Sequence, residues 1–135
     1  MAIEQTVSRY APTILSLLRI MVALLFLAHG TGKMFGFPSA NAAAAAPAMF
    51  SMYWFAASIE IVGSTLMVLG LFTRPVAFIL SGEMAFAYFI SHAPRSFYPL
   101  LNGGDAAVLY CFIFFYFAFA GAGPLSLDAT VRKQA

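Results

Sequence analysis

The sequence predicts an all-α integral membrane protein, a bundle of four transmembrane helices in one domain, residues 1–135. Of the 135 residues, 62% are hydrophobic and only 9% are charged. A water-soluble domain of this size needs far more charge to cover its surface. Apolar windows occur four times, each close to or above the roughly 17–25 residues that cross a bilayer. The windows are about 12–36, 50–71, 75–92 and 104–122.

The connections between these windows are short. The first, "GFPSANAAAAAPAM", has prolines at 38 and 47 on either side of an alanine run, where we expect a short interfacial helix. In "LFTRPVA", Arg74 precedes a proline, and helices usually stop before one, so a tight turn is expected there. In "HAPRSFYPLLNGGD", Asn102 and two glycines break the helix, and Asp105 is a favourable anion for the first turn of the last span.

Charge and cysteine content exclude several function classes. The formal net charge of +2 is small and scattered, so no nucleic-acid partner is expected. Cys111 is the only cysteine, which excludes an intrachain disulfide or a CxxC redox pair. The first residues lack the short apolar run and cleavage site of a secretory signal, so the first helix is expected to stay in the mature protein.

Loop charges predict the orientation in the membrane. With four spans, the N-terminus, the turn at 72–75 and the C-terminus lie on one side. That side carries Arg9, Arg74, Arg132 and Lys133, whereas the other carries Lys33 and Arg95. Because the side richer in lysine and arginine is usually cytoplasmic, we predict that both termini are cytoplasmic.

Seven ionisable residues at membrane depth need an explanation, since such groups are costly in lipid and usually face the bundle or water. They are Arg19, His29, Lys33, Glu60, Glu83, His92 and Asp105. At about 1.5 Å of rise per residue, Arg19 and Glu83 reach similar depths, roughly 10–12 Å from the inner end. We therefore expect a structural ion pair between the first and third spans.

The other five residues predict a polar pocket near the outer end of the bundle. By the same count, His29, His92 and Asp105 lie at one level, with Glu60 below them and Lys33 above. For each histidine, an interfacial residue bonded to a backbone carbonyl or water is an equal alternative, and Lys33 alone is better explained by snorkelling to headgroups. Glu83 and His92 are nine residues apart and half a turn out of phase, which favours two clusters over one.

Glycines and aromatic residues accompany this end of the first span. Gly32 and Gly36, four residues apart, are expected to allow close helix packing; the functional alternative is that glycines leave room for a flat ligand beside His29. The run "YCFIFFYFAF" is interpreted as ordinary lipid-facing and packing material.

The chain resembles the DoxX family of small four-helix bacterial membrane proteins. The matching stretches are "LLFLAHGTGKMFGF", "ASIEIVGSTLMVLGLFTRPVA", "AYFISHAPRSFYP", "NGGDAAVLY" and "GAGPLSLD". The resemblance implies a multi-pass bundle in the bacterial inner membrane. Similarity to small subunits of thiosulfate:quinone oxidoreductases, and to a family member associated with oxidative-stress enzymes, implies quinone-linked redox work. The positions carried over are His29, Lys33, Glu60, Arg74, His92 and Asp105.

Two functions are compatible with these residues. In the first, the protein is a membrane-embedded subunit of a quinone-linked oxidoreductase of sulfur or oxidative-stress metabolism. His29, Lys33 and His92 bind the quinone oxygens, and Glu60 or Asp105 is the catalytic proton carrier. The sequence has no flavin fingerprint, cysteine cluster or metal site, so a redox partner protein or a bound haem must deliver electrons. Axial ligation of a haem by His29 and His92 is the less favoured alternative to a quinone.

The second function belongs to another class, a non-catalytic membrane partner or a small-solute transporter. Its polar cluster would fix helix packing, assemble a homo- or hetero-oligomer in the bilayer, or pass a solute. The small size of the chain and its shortage of redox equipment favour this alternative.

Overall fold

A computed structural model of the chain describes residues 2–38 and 46–134. This part of the chain is all-α. It contains six α-helices, namely α1 (Ala2–Phe35), α2 (Met52–Leu69), α3 (Thr73–Ala87), α4 (Pro99–Asn102), α5 (Asp105–Ala120) and α6 (Leu127–Gln134), and a π-helical turn, Tyr88–His92, that continues α3. The interfacial helix predicted for the alanine run falls at 39–45, outside the described residues.

Local signals set the ends of the helices. The Ser51 hydroxyl accepts a hydrogen bond from the Trp54 amide and caps α2 at its start. Gly70, with a φ of 66°, ends α2, where its amide donates back to the last turn. The amides of Phe72 and Thr73 both donate to the Asp128 carboxylate, which thereby caps the start of α3. A residue of α6 therefore stabilises the predicted turn between α2 and α3.

Four helices pack as antiparallel neighbours around one core. Contacts pair α1 with α2, α2 with α3, and α3 with α5. The ring of Phe26 on α1 lies 4.9 Å from that of Phe114 on α5, which closes the bundle. The largest fully buried apolar side chains are Phe26, Phe114, Phe117, Met67 and Leu80.

Several polar side chains lie inside the bundle and many large apolar ones lie on its surface, unlike the pattern of a water-soluble domain. The fully buried polar residues are Ser16, Arg19, Glu60, Ser64 and Thr73. Exposed apolar residues cover all four long helices and include Leu17, Leu25, Val62, Phe78, Ile79, Phe112 and Phe119. An apolar exterior of this extent is suited to lipid rather than to water.

Two of the four predicted spans are long and apolar enough to cross a bilayer, at Ile3–Phe35 and Met52–Leu69. The helix α5 is apolar but has 16 residues, which gives a length of about 24 Å against roughly 30 Å of hydrocarbon. The third predicted span corresponds to α3 and the π-helical turn together, residues 73–92. The described helices are thus consistent with a membrane protein.

The predicted ion pair between Arg19 and Glu83 is wrong. Arg19 is fully buried and donates to the carbonyls of Val68 at 2.9 Å, Ala122 at 3.0 Å and Leu125 at 2.6 Å. It also donates to the Met67 carbonyl. These carbonyls belong to the last turn of α2 and to the segment after α5, where helices leave acceptors unsatisfied.

The Arg19–Glu83 prediction failed because the depth of Arg19 was counted from residue 12, which is not where the bundle begins. The helix α1 begins at Ala2 rather than near residue 12 and extends beyond the end of the bundle. Arg19 therefore lies level with the end of α2 and the start of α3. Glu83 comes ten residues after Thr73, about 15 Å further along the bundle.

Arg74, carried over from the family resemblance, lies at the same end of the bundle as Arg19. Its guanidinium donates to the carbonyls of Ala118 at 3.2 Å and Phe119 at 2.5 Å. A cation at these last carbonyls of α5 is favourable for the helix. The structure thus gives Arg74 a place in fixing α5 beside the α2–α3 turn, far from the histidines.

Candidate functional site

A cavity of about 260 Å³ opens at the end of the bundle where α1 ends and α5 begins. We call it the larger cavity to distinguish it from a smaller neighbour that shares Lys33 and Glu60 with it. Its polar wall is formed by His29 and Lys33 of α1, Glu60 of α2, His92 of the π-helical turn and Tyr110 of α5. Four of the five residues predicted for the outer pocket therefore lie around one space.

The strongest polar contact at this cavity is an ion pair between α1 and α2. Lys33 Nζ lies 2.5 Å from Glu60 Oε1, and the Glu60 side chain is 1% exposed while that of Lys33 is 35% exposed. The sequence predicted that Glu60 needs a cation or a proton, but not that Lys33 is the cation. Breaking such a buried pair leaves an uncompensated charge, which is strongly destabilising.

Gly30 brings the two helices close enough for this pair to form. A Cβ at residue 30 would lie 2.9 Å from Ile61 Cγ1 and 3.0 Å from Glu60 Cβ. A Cβ at Gly32 would approach nothing closer than 3.7 Å, and Gly36, with a φ of 69°, follows the end of α1. The predicted small-residue contact therefore belongs to Gly30 rather than to Gly32 and Gly36.

The π-helical turn and Asn102 position His92. The Ala93 amide bonds to the Tyr88 carbonyl five residues back, at 2.9 Å, and π-turns of this kind are frequent at functional sites. His92 Nδ1 lies 3.1 Å from the Asn102 carbonyl oxygen. Because a carbonyl can only accept, Nδ1 carries the hydrogen, and in the neutral imidazole Nε2 is left as an acceptor.

The side chain of Asn102 ties the π-helical turn to the start of α5. Asn102 is 3% exposed, and its amide group donates to the Ser96 carbonyl at 2.5 Å and to the Tyr88 hydroxyl at 3.4 Å. Its Oδ1 accepts from the Gly104 amide at 2.7 Å. Asn102 thus fixes both the loop and the carbonyl that orients His92, a role that the sequence analysis missed.

His29 lies against aromatic rings. Its ring centroid is 5.6 Å from that of Tyr110 in an edge-to-face arrangement and 6.2 Å from that of Phe26. In the described part of the chain, no group hydrogen-bonds to the His29 ring, and the residue is exposed. Its nitrogens are therefore available to a ligand.

Tyr110 lies in the phenylalanine-rich run that was interpreted as packing material. The signal in the sequence was the spacing of Ala106, Ala107 and Tyr110, since residues three and four apart share one helical face. All three line the larger cavity.

Asp105 does not line the larger cavity, contrary to its predicted place in the pocket. It is the first residue of α5 and is exposed, while the two alanines that follow it face the cavity. Counting residues along the helix predicts the height of Asp105 in the bundle, but it does not predict which way the side chain points around the helix axis. Its favourable position in the first turn of α5 agrees with the sequence prediction.

A second, smaller cavity of about 70 Å³ lies on the other side of the ion pair. Lys33 and Glu60 line both cavities, and Glu83 of α3 lines only the smaller one. Both carboxylate oxygens of Glu83 are buried and have no hydrogen-bond partner among residues 2–38 and 46–134. Glu83 and His92 therefore face different spaces, as their spacing predicted.

Comparison with known proteins identifies the family. An uncharacterized protein of Haemophilus influenzae is 47% identical over 129 residues, which cover 93% of this chain and 96% of that protein. No solved structure matches the chain. The DoxX family model matches residues 14–93, which include the Lys33–Glu60 pair, Glu83 and His92. The chain therefore belongs to the DoxX family.

Proposed function

We propose that the protein is a four-span subunit of a quinone-linked oxidoreductase of the bacterial inner membrane, serving sulfur or oxidative-stress metabolism, and that the larger cavity binds the quinone ring. The observation that carries this proposal is that the Lys33–Glu60 ion pair and two histidines lie around one cavity near the end of the bundle. Such convergent polar groups in an apolar pocket are typical of a small-molecule site.

The size of the larger cavity favours a single substituted ring. An engineered apolar cavity of about 150 Å³ holds benzene, and the larger cavity has about 260 Å³. Pockets for drug-sized ligands start at roughly 300 Å³. A haem macrocycle between His29 and His92 is therefore less favoured than a quinone head group.

The polar groups on the cavity wall suit the two oxygens of such a ring. The Lys33 ammonium is a donor, and the free nitrogens of His29 can accept or donate. His92 Nε2 is an acceptor suited to a ligand hydroxyl, because Nδ1 is held by the Asn102 carbonyl. Glu60 Oε2 has no partner among the described residues and can exchange a proton with the ligand.

A bound quinone supplies the capacity to carry two electrons with two protons. The chain itself contributes binding, orientation and proton exchange, and we assign electron delivery to a partner protein. Of the two predicted proton carriers, this proposal keeps Glu60, which lines the cavity, and drops Asp105, which lies outside it.

The four proposed spans are α1, α2, α3 with its π-helical turn, and α5. With both termini cytoplasmic, as the loop charges predict, the larger cavity faces the periplasmic side. The shorter α5 is then accommodated by local bilayer thinning or by neighbouring subunits, both ordinary responses to hydrophobic mismatch.

Quinone content and quinone binding test this function. We expect protein purified in mild detergent to retain extractable quinone, and quinone-depleted protein to bind a short-chain quinone saturably. Lys33→Met/Glu60→Gln, which removes both charges while keeping side-chain size, should weaken that binding at least about tenfold, a change of about 1.4 kcal/mol. Asp105→Asn is the matched control and should bind like the wild type. Absence of saturable binding to the folded wild type would overturn the proposal.

The non-catalytic membrane partner remains the second candidate, and one observation favours it. The Lys33–Glu60 pair neutralises itself beside the close contact that Gly30 makes between α1 and α2, which is where a purely structural pair belongs. Two results together would support this candidate: the wild type binds no quinone, and the variant Lys33→Met/Glu60→Gln loses its helix packing.

A further inference from the structure

The smaller cavity contains more negative than positive groups. Its ionisable walls are Lys33 of α1, Glu60 and Tyr53 of α2, and Glu83 of α3. Lys33 neutralises Glu60 across 2.5 Å. Glu83 interacts electrostatically with both, yet its two oxygens and Glu60 Oε2 are buried without a hydrogen-bond partner in the described part of the chain.

Charge balance in this space requires a proton. One ammonium group cannot neutralise two carboxylates, so full ionisation would leave one negative charge buried in an apolar bundle. The cost of such a charge in a medium of low polarity is so large that a carboxyl group takes up a proton instead. A protonated carboxyl group also supplies the one donor that three unpartnered acceptor oxygens lack.

The smaller cavity also has room for water. Its volume is about 70 Å³, and a water molecule occupies about 30 Å³ in the liquid, so two molecules fit. A buried water needs two to four polar partners. The Glu83 oxygens and Glu60 Oε2 provide them.

We propose that the smaller cavity is a proton-binding site in which Glu60 and Glu83 share one proton. The proton resides on Glu83 while Glu60 is paired with Lys33, and buried water connects the two carboxyl groups. Because Lys33 and Glu60 line both cavities, this proton lies directly behind the wall of the larger cavity. The inference does not depend on which ligand the larger cavity binds.

Infrared spectroscopy of the purified protein at neutral pH tests this inference. Exposed carboxyl groups are ionised at that pH, so a carboxylic acid C=O band that shifts in D₂O reports a buried, protonated group. We expect one such band in the wild type, its loss in Glu83→Gln, and no change in the control Asp105→Asn. A wild type without the band, or a Glu83→Gln variant that keeps it, would overturn the proposal.

Two further variants test whether Glu60 and Glu83 share one proton. In Glu60→Gln, Lys33 is left to balance Glu83, so the band should again disappear although Glu83 is present. In Lys33→Met, both carboxyl groups must be neutral, and the band should about double. A band that persists unchanged in Glu60→Gln would show that the two groups do not share a proton. The glutamine variants add no charge, and thermal melting checks that each is folded.

Discussion

Lys33 Nζ and Glu60 Oε1 lie 2.5 Å apart, one turn beyond the point where Gly30 brings α1 against α2. The stretch "HGTGK" thus combines an imidazole that lines the larger cavity, a contact glycine and the cation of the Glu60 pair. The glycine contact sets the distance across which the lysine reaches.

The pair should show strong coupling in a double-mutant cycle. Lys33→Met alone should destabilise the protein, by less than the roughly 3–5 kcal/mol of a fully buried pair, because Lys33 is 35% exposed and Glu60 takes up a proton when its cation is lost. The double variant Lys33→Met/Glu60→Gln should recover most of this loss. Thermal or chemical unfolding in detergent measures the effect, and additive losses in the two single variants would contradict it.

Gly30→Ala should destabilise the bundle by about 1–3 kcal/mol, the usual cost of overpacking. The added methyl would lie 3.0 Å from the Ile61 backbone nitrogen, which cannot move away as a flexible side chain can. Gly32→Ala is the matched control on the same helix, where the nearest atom is 3.7 Å away. Equal melting temperatures for the two variants would show that α1 and α2 are not in close contact here.

Arg19→Met should be among the most destabilising substitutions in the chain. It removes the donor for four backbone carbonyls, and one hydrogen bond to a charged group contributes about 1.5–3 kcal/mol. Arg9→Met, at an exposed position of the same helix, should change stability little. Unfolding of both variants measures the difference, and similar losses would contradict the arrangement around Arg19.

His29→Ala should weaken quinone binding about five- to a hundredfold, since a ligand oxygen left without its hydrogen bond costs about 1–3 kcal/mol. Stability should change little, because His29 is exposed and makes only ring contacts. Equilibrium binding of a short-chain quinone measures the affinity, with thermal melting as the control. An unchanged affinity would show that His29 does not bind the quinone.

Reporter fusions should place the C-terminus in the cytoplasm. A cytoplasmic reporter joined after residue 135 should be active, and a periplasmic one inactive, because the loop charges favour that side. The opposite pattern would show that the orientation in the membrane is the reverse of the predicted one and that the larger cavity faces the cytoplasm.

Helix content and the level of most pocket residues follow from the sequence, because hydropathy fixes the helices and a constant rise fixes height. His29, Lys33, Glu60 and His92 therefore meet at one cavity as spacing predicted. Direction around a helix is harder to predict, as Asp105 shows. The π-helical turn also changes the phase of His92 relative to the rest of α3, and no residue type marks such a turn in advance.

The contacts of Arg19 and Glu83 were beyond prediction for a different reason. A depth count needs the true start of a helix relative to its neighbours, and nothing in the apolar pattern of α1 marks where the bundle begins. Asn102 likewise stands in a segment of chain breakers, and the contacts of its side chain with Tyr88 and Ser96 depend on how that segment folds back on the π-helical turn.

The contacts of Arg19 also impose an order on synthesis. Two of its acceptors, the carbonyls of Ala122 and Leu125, lie 103 and 106 residues later in the chain. At roughly 5–20 residues per second, that separation takes about 5–20 s to translate. During this interval the Met67 and Val68 carbonyls are the acceptors already made, and the rest of the guanidinium lacks its final partners. The bundle therefore closes at this end only when its last segment emerges, because two of the four carbonyl acceptors of Arg19 belong to that segment.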